Sequence, residues 1–409
     1  IFHWSILIFF SKIMIIGIIS RGAISRIFLP ILKLIKIFYN YKICLMRTDR
    51  LGHLSNNTQL FFIRHKRNLI EDTNYYLIAP SINSSKIANK DLLLLHIEYT
   101  KNLHNVRIIT SSFFYYLFFY SQGVLNDKRF FSPLEYKSNE VEFSLQEQTV
   151  SFTNKQQAYG NDILLKMNIT QNDKLICIYT RDSSFLENID NSVDWSYHDY
   201  RNTNIESYLK TIKFLISKGY KVVRIGSEYS KSLNYINDNF IEYNLSRFKS
   251  GFMDLYMPYM ASFIIGCKSG ATDLSLLFNK PILVTDLTTF VEAPLGKKDL
   301  FIQKKIIDLN KNIVPFKELV ENEKFYTNDG NKMHSLYGLS YIDNTEDEIL
   351  EATIEMYNRI VNNFVLKDEQ MDLLRRYHNE YCVKNKNSSE FVPISVNWLE
   401  KNYALYLDH

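Results

Sequence analysis

Short apolar runs along the chain alternate with stretches whose apolar residues recur at helical spacing, the pattern of an α/β fold. Leu175-Ile176-Cys177-Ile178-Tyr179 is apolar throughout, bounded by polar residues and too short for a typical helix. That predicts a parallel strand covered on both faces. From Asn204, residues Ile205, Tyr208, Leu209, Ile212 and Leu215 keep helical spacing, and Gly219 supplies a stop before Tyr220 to Ile225 reads as the next strand, closed by Gly226. The result is a βαβ unit whose first loop, Asp182 to Asn202, is far longer than usual, a length typical of functional loops.

Two further strand-turn-helix segments stand out. Lys42 to Met46 reads as a first strand, followed by the charged loop Arg47-Thr48-Asp49-Arg50-Leu51-Gly52-His53-Leu54 and a helix from about Asn57 to Arg67. Later, Ser262 to Gly266 reads as a strand, Cys267 to Gly270 as a turn, Ala271 to Phe278 as a helix and Pro281 to Thr285 as another strand. Other apolar runs are Tyr75 to Ala79, Leu92 to Leu95 and Val106 to Thr110. Near the carboxyl end, Thr345 and Glu348 form a capping box ahead of Ile349, Ala352, Thr353, Met356 and Ile360 on one helix face. Two domains are expected, with the boundary in the polar stretch from 147 to 161. The divisions are a basic, apolar segment over 1–40, an N-terminal domain over 41–160, a second domain over 161–380 and an extension over 381–409.

Chemistry gathers at the carboxyl ends of these strands. Arg181 offers a planar fork of donors suited to phosphate, and the helix start near Asn204 presents backbone N–H groups to the same region. The alternative is that Arg181 and Asp182 pair with surface neighbours and that Asn202 or Asn204 is only a cap. In the second turn Gly270 allows close backbone approach, Ser269 can cap or donate to phosphate, and Lys268 adds a point charge, although a Ser-Gly turn is common in α/β proteins. His53 beside Gly52 is placed to act as a base or, more blandly, to pack the helix start. Asp286 and Glu292 flank a loop where a carboxylate could take ribose hydroxyls; a solvated loop acid serves equally.

The segments Arg47 to Gln59, Tyr179-Thr180-Arg181-Asp182, His198-Asp199-Tyr200-Arg201-Asn202, and Gly266 to Thr272 with Asn279-Lys280-Pro281 together resemble a family of bacterial surface-polysaccharide glycosyltransferases. The resemblance covers roughly Lys42 to Ile360. It implies a GT-B architecture, two Rossmann-like domains facing across a cleft, with the donor nucleotide held mainly by the second and no metal or other cofactor. The Arg181 strand also looks like the arginine motif of fucosyltransferases, with Tyr179 where those usually carry histidine. Gly52-His53 is similar in position to the Gly-Asp of heptosyltransferases, with histidine in place of the aspartate. The resemblance implies a donor-phosphate set of Arg181, Lys268, Ser269, Gly270, Gly226 and Asp286. His53 becomes the first choice of base, with Asp49 or Asp182 as alternatives. Gly52, Asn57, His198, Asp199, Tyr200, Arg201 and Asn202 would organise the substrate site.

The implied reaction moves a sugar from a nucleotide-sugar to a hydroxyl of a surface polysaccharide or lipid-linked glycan, with inversion favoured. The alternatives are a GT-B-type nucleotide-sugar epimerase and a non-catalytic glycan-assembly binding protein. Composition fits an ordered enzyme: 409 residues with 46% hydrophobic and 22% charged content can bury two cores. The net charge of +4 is modest, and scattered aromatics do not argue for nucleic acid. The charge is uneven, however. Lys12, Arg21, Arg26, Lys33, Lys36, Lys42 and Arg47 all precede the first acidic residue, Asp49.

Residues 1–20 are largely apolar with Lys12 in their midst, which favours an interfacial helix over a spanning one and leaves a buried helix as the alternative. A peripheral contact at the inner face of the cytoplasmic membrane is expected. Cys44, Cys177, Cys267 and Cys382 are widely spaced, as buried thiols in a reducing compartment would be, and no zinc spacing occurs.

Overall fold

A computed structural model describes residues 21–121, 131–132, 134, 148–183, 194–288, 293–294, 296, 298–321, 330–362, 364–379 and 393–407. The expected interfacial segment 1–20, Glu292, Cys382 and the rest of the extension up to 392 lie outside the described residues, as do positions 184–193 of the long loop. The chain divides into two compact units, Ile1–Tyr136 and Lys137–His409. Helix Asn154–Lys166 belongs to the second unit for a packing reason. Just before it, Phe152 lies against Tyr256, Tyr259 and Phe278, and the Tyr256 hydroxyl donates to the Gln157 carbonyl and to Asn161 Oδ1.

In the first unit, helix α1 (Arg21–Phe38) precedes β1 (Tyr41–Leu45), helix α2 (Thr58–Lys66), β2 (Asn74–Ala79), α3 (Lys90–Lys101), β3 (Val106–Thr110) and α4 (Ser112–Ser121). The three strands pair in parallel in the order β1-β2-β3. On its other side β1 is bridged in parallel by Phe131, and the Ser132 N–H donates to the Ile43 carbonyl at 3.0 Å. Chain therefore leaves β1 in one direction and returns on its opposite flank. Leu32, Tyr41, Ile43, Ile78, Phe118 and Phe131 fill the core beside it. No helix among the described residues is long and apolar enough to cross a membrane.

The second unit continues with β4 (Lys174–Tyr179), α5 (Leu209–Ser217), β5 (Tyr220–Ile225), β6 (Phe240–Ile241), α6 (Gly251–Met260), β7 (Ala261–Cys267), β8 (Ile282–Leu287) and β9 (Leu300–Gln303). All six strands pair in parallel, in the order β6-β5-β4-β7-β8-β9. The chain winds outward from β4 to β6, then returns to the other flank of β4 and winds outward again. That is the doubly wound Rossmann order, and its reversal lies between β4 and β7. Interior positions of β4, β7 and β8 are buried on both faces apart from the partly buried Ser262, in keeping with their mainly apolar runs. At the reversal Gly266 pairs with Tyr179, and a Cβ on Gly266 would sit 2.2 Å from the Tyr179 carbonyl oxygen. The protein is thus α/β, with two Rossmann-like units. The short helix expected over 271–278 is a turn followed by one helical turn, Leu274–Leu277.

The carboxyl-terminal part packs onto this unit. Helix α7 (Glu346–Val361) starts with the expected capping box and buries Ile349, Ala352, Thr353 and Met356. Helix α8 (Asp368–Tyr377) lies against α9 (Val396–Lys401). Ile394 extends the sheet by a parallel bridge to Phe301 on β9. One buried carboxylate secures this edge. Glu355 accepts from Ser395 Oγ at 2.6 Å, from the backbone N–H groups of Val396 and Asn397 at the start of α9, and from Arg359 at 2.6 Å. Removing one partner of such a buried network strands the rest, so Glu355→Ala is predicted to lower unfolding free energy by about 3–5 kcal/mol. Urea unfolding of the two proteins checks this; a loss under 1 kcal/mol would show that the clasp is not a significant fastener.

Candidate functional site

Crevices in open α/β sheets open where strand order reverses, beyond the strands' carboxyl ends. In the second unit that place is occupied by Thr180-Arg181-Asp182 from β4 and Lys268-Ser269-Gly270 from β7. Arg181 is fixed at both ends of its backbone: its N–H donates to Cys267 Sγ at 3.2 Å and its carbonyl accepts from the Thr203 N–H at 2.9 Å. Its side-chain Nε is buried and meets no acceptor among the described residues. Together with Asp182, Asp199, Tyr200, Asn202 and Lys304, Arg181 lines an open cavity of about 680 Å³, whose lining also includes Asn331, His334, Tyr341 and Asp343. A buried donor without an acceptor carries a free-energy cost that an anionic ligand would relieve.

The His198-Asp199-Tyr200-Arg201-Asn202 run forms most of a single 3₁₀ segment, Ser196–Arg201, and the residue that ends it. Tyr200 is buried, stacks on Tyr341 with ring centres 5.5 Å apart, and accepts from Arg201 Nε at 2.7 Å. Exposed Asp199 accepts from Asn202 Nδ2 at 2.9 Å, and the Asn202 Oδ1 atom is buried with no donor among the described residues. Three of the five residues therefore line the cavity. His198 and Arg201 do not; the histidine ring instead lies against Tyr197, centres 4.0 Å apart.

Lys268 donates to buried Asp273 at 2.5 Å, so its charge already has an acidic partner. Ser269 Oγ accepts from the Ala271 N–H at 3.0 Å, and a hydrogen bond joins Ser269 to Tyr179, whose phenol burial pushes up to about 12. Gly226 has φ +130°, and a Cβ there would meet the Tyr179 ring at 3.2 Å. Gly270 lies in the turn after β7. Neither the lysine nor the Ser-Gly turn lines the cavity that Arg181 lines.

Asp286 lies where the β8–β9 register shifts, with φ +52°, a left-handed conformation that a non-glycine residue holds only when its surroundings enforce it. Enforcement comes from three bonds of 2.7 Å each: Thr203 Oγ1 and the Asn344 N–H donate to its carboxylate, and its own N–H donates to Asn344 Oδ1. Burial pushes its carboxyl above the ordinary range, against the opposing Lys304 charge and these bonds. Lys304 is the site residue that pattern alone does not disclose. It follows β9, is buried, and donates to the Asn202 carbonyl at 2.7 Å and to Asp343 at 2.6 Å. Only its place among the cavity residues distinguishes it from Lys305, which pairs with Glu348.

In the first unit the Arg47 to Asn57 loop leaves the carboxyl end of β1, the strand with chain on both flanks. Thr48 is buried and pins the loop, donating to the Lys86 carbonyl at 2.8 Å and accepting from the Ala88 N–H at 2.7 Å. Gly52 has ordinary right-handed geometry, and His53–Asn57 forms a π-helical turn ahead of α2. Such turns recur at functional sites. Asn57 Nδ2 donates to the Leu134 carbonyl at 2.9 Å. His53 is half-buried; burial and then the Arg47 charge hold its imidazole below the ordinary value, opposed by a hydrogen bond with Asn57 and by the Asp49 charge. Its ring is thus biased toward the neutral form that accepts a proton. Among the described residues no cluster of three or more His, Cys, Asp or Glu could hold a metal ion.

No family model and no curated protein matches the chain. Among solved structures it is similar to ADP-heptose lps heptosyltransferase II from Escherichia coli, at 11% identity and TM-score 0.36 over 64% of this chain and 90% of that one. A glycosyl transferase family 9 protein from Veillonella parvula aligns at 10% identity and TM-score 0.36, over 60% of this chain and 80% of that one. The iron-containing dodecameric glycosyltransferase TibC from enterotoxigenic E. coli aligns at 13% identity and TM-score 0.33, over 63% of this chain and 62% of that one. All three are glycosyltransferases. Likeness this distant assigns a role to no residue here.

Because both carboxylate oxygens of Asp286 are committed to Thr203 and Asn344, its substitution should act on stability. Asp286→Ala is predicted to cost about 2–4 kcal/mol, one to two stranded buried hydrogen-bonding groups, while the folded fraction keeps its ligand affinity. Denaturation and calorimetry on the same variant check this. Unchanged stability with lost affinity would place Asp286 against the ligand.

Proposed function

We propose that the protein is a metal-independent glycosyltransferase that moves a sugar from a nucleotide-sugar to a hydroxyl of a surface polysaccharide or lipid-linked glycan, with inversion. The observation that carries this reading is Arg181, a backbone-anchored guanidinium with a buried donor short of an acceptor, at the strand-order reversal of a Rossmann-like sheet and in the wall of a cavity of about 680 Å³. As the glycosidic bond to the diphosphate breaks, negative charge grows on the leaving oxygen. Arg181 stabilises that charge from a position already paid for in folding, which is where electrostatic catalysis is strongest. Asn202, Asp199, Tyr341 and Asp343 supply hydrogen-bonding groups to the rest of the donor.

His53 is the proposed base: the acceptor hydroxyl gives its proton to the neutral imidazole as its oxygen bonds to the anomeric carbon. Asp49 and Asp182 are the alternatives for that role. A peripheral contact with the inner face of the cytoplasmic membrane, where lipid-linked acceptors are used, completes the reading.

Calorimetry with nucleotide-sugars tests the first assignment. Arg181→Ala is predicted to weaken donor binding by at least tenfold, the ~1.5–3 kcal/mol of a charge-assisted hydrogen bond, with EDTA without effect on transfer. Unchanged affinity would remove Arg181 from the phosphate site. The pH profile of transfer tests the base. Because burial and Arg47 lower the His53 value, activity should persist below the ordinary histidine midpoint and fall only as acid protonates the ring. Arg47→Ala removes one depressing charge and should move this acid limb to higher pH. A limb unmoved by Arg47→Ala, together with full activity in His53→Ala, would assign the base elsewhere.

A further inference from the structure

Helix α1 is amphipathic, but its apolar stripe faces outward. Ile31, Leu34, Ile35 and Phe38 fall at i, i+3, i+4 and i+7, the spacing by which a globular helix presents one face to its core. All four are exposed, Phe38 at 73%, and Ile37 and Tyr39 extend the surface. The helix is held to the unit by the opposite side. Leu32 is buried, its carbonyl accepts from the Tyr41 hydroxyl at 2.9 Å, and Lys36 Nζ donates to the Tyr41 carbonyl at 3.0 Å. So the stripe is not left over from a loosely placed helix. A contiguous apolar surface of this kind on a fixed element marks an interaction site.

Charge identifies the occupant. Arg21, Arg26, Lys33 and Lys36 are the charged residues of this 18-residue helix, and no acidic residue occurs before Asp49. Four cations make a spanning helix unfavourable, and none of the described helices is long and apolar enough to cross a membrane. An outward apolar face on a helix without acidic residues, in a stretch of chain that is basic and acid-free up to Asp49, suits a helix lying in the headgroup region of an anionic bilayer with its stripe inserted. A second protein would require acidic groups around an apolar groove; a bilayer supplies both features over any outline.

We infer that the outward stripe Ile31, Leu34, Ile35 and Phe38 of α1 docks the protein on anionic phospholipid. This names the surface for the peripheral contact proposed above and rests on that reading, but not on the chemistry assigned to Arg181 or His53.

The test is co-sedimentation of the full chain with phosphatidylglycerol–phosphatidylethanolamine vesicles and with phosphatidylcholine vesicles. Binding is expected to the anionic vesicles, at least tenfold stronger than to phosphatidylcholine and weakened by salt. Leu34→Glu with Phe38→Glu should reduce it at least tenfold while melting temperature and nucleotide-sugar affinity stay unchanged, and Lys33→Glu should weaken binding to the anionic vesicles selectively. Retained binding in the double variant, or equal binding to both vesicles, overturns the inference. A wild-type dimer that the double variant dissociates would make a second copy the occupant, and a lowered melting temperature would show the stripe covered by the chain itself. Either result also overturns it. Loss of donor binding in Arg181→Ala is read separately, so failure of the docking surface and failure of the transferase reading are distinguishable.

Discussion

Much of the second unit depends on one constraint, the side-by-side pairing of β4 with β7, strands that are neighbours in the sheet but distant in the chain. Their backbones come so close at Tyr179 and Gly266 that no side chain fits on the glycine. Because the chain leaves these two strands in opposite directions along the sheet, their following loops part and leave a crevice at the carboxyl ends. Arg181 is the second residue beyond β4, and Lys268 is the first beyond β7. Their nearness to the crevice follows from topology. What distinguishes them is partnership: Lys268 is neutralised by Asp273, whereas Arg181 keeps a buried donor without an acceptor among the described residues.

Strands were the most legible part of the sequence. Parallel strands buried on both faces are largely apolar, so the runs at 175–179 and 282–285 announce themselves, while 220–225 reads as a strand despite Lys221 and Arg224, the latter buried against Glu242; the observed strands differ by a residue or two at their ends. The capping box at Thr345 and Glu348 was equally plain, since it is encoded within four residues. The helical turn Leu274–Leu277 is shorter than the helix expected over 271–278 for a definable reason. Ser269, Thr272 and Asp273 bond among themselves and to the preceding backbone, competing with helical hydrogen bonding over the first turn.

Side-chain roles were less legible because they depend on partners far away in the chain. Asp286 after an apolar strand has the local appearance of a ribose-binding carboxylate, yet its bonds come from Thr203 and Asn344, 83 and 58 positions away. Lys304 and Lys305 are indistinguishable in sequence. One reaches the Asn202 carbonyl across 102 positions and lines the cavity, while the other pairs with Glu348 on the capping box. The Asp182 to Asn202 loop was identified by its length and polarity, and its division into cavity-lining Asp199, Tyr200 and Asn202 and the non-lining His198 and Arg201 appears only when the 3₁₀ segment is folded.

The same logic of partnership bears on how rigidly the first-unit loop is held. A π-helical turn widens the hydrogen-bond ring and would be costly to keep without outside support. Buried His96 provides it: desolvation pushes its imidazole down to about 4, so the ring is neutral near pH 7, and its Nε2–H donates to the Leu54 carbonyl at 3.0 Å. Leu54 is the residue after His53. On the far side of the turn Asn57 is tied to the Leu134 carbonyl, and upstream Thr48 is tied to Lys86 and Ala88. The turn is therefore fixed before, within and after His53. A neutral histidine suits the middle position, because it supplies the N–H without adding a charge that would further oppose protonation of His53. The irregular turn thus has tertiary supports that preserve its shape, as the base role proposed for His53 requires.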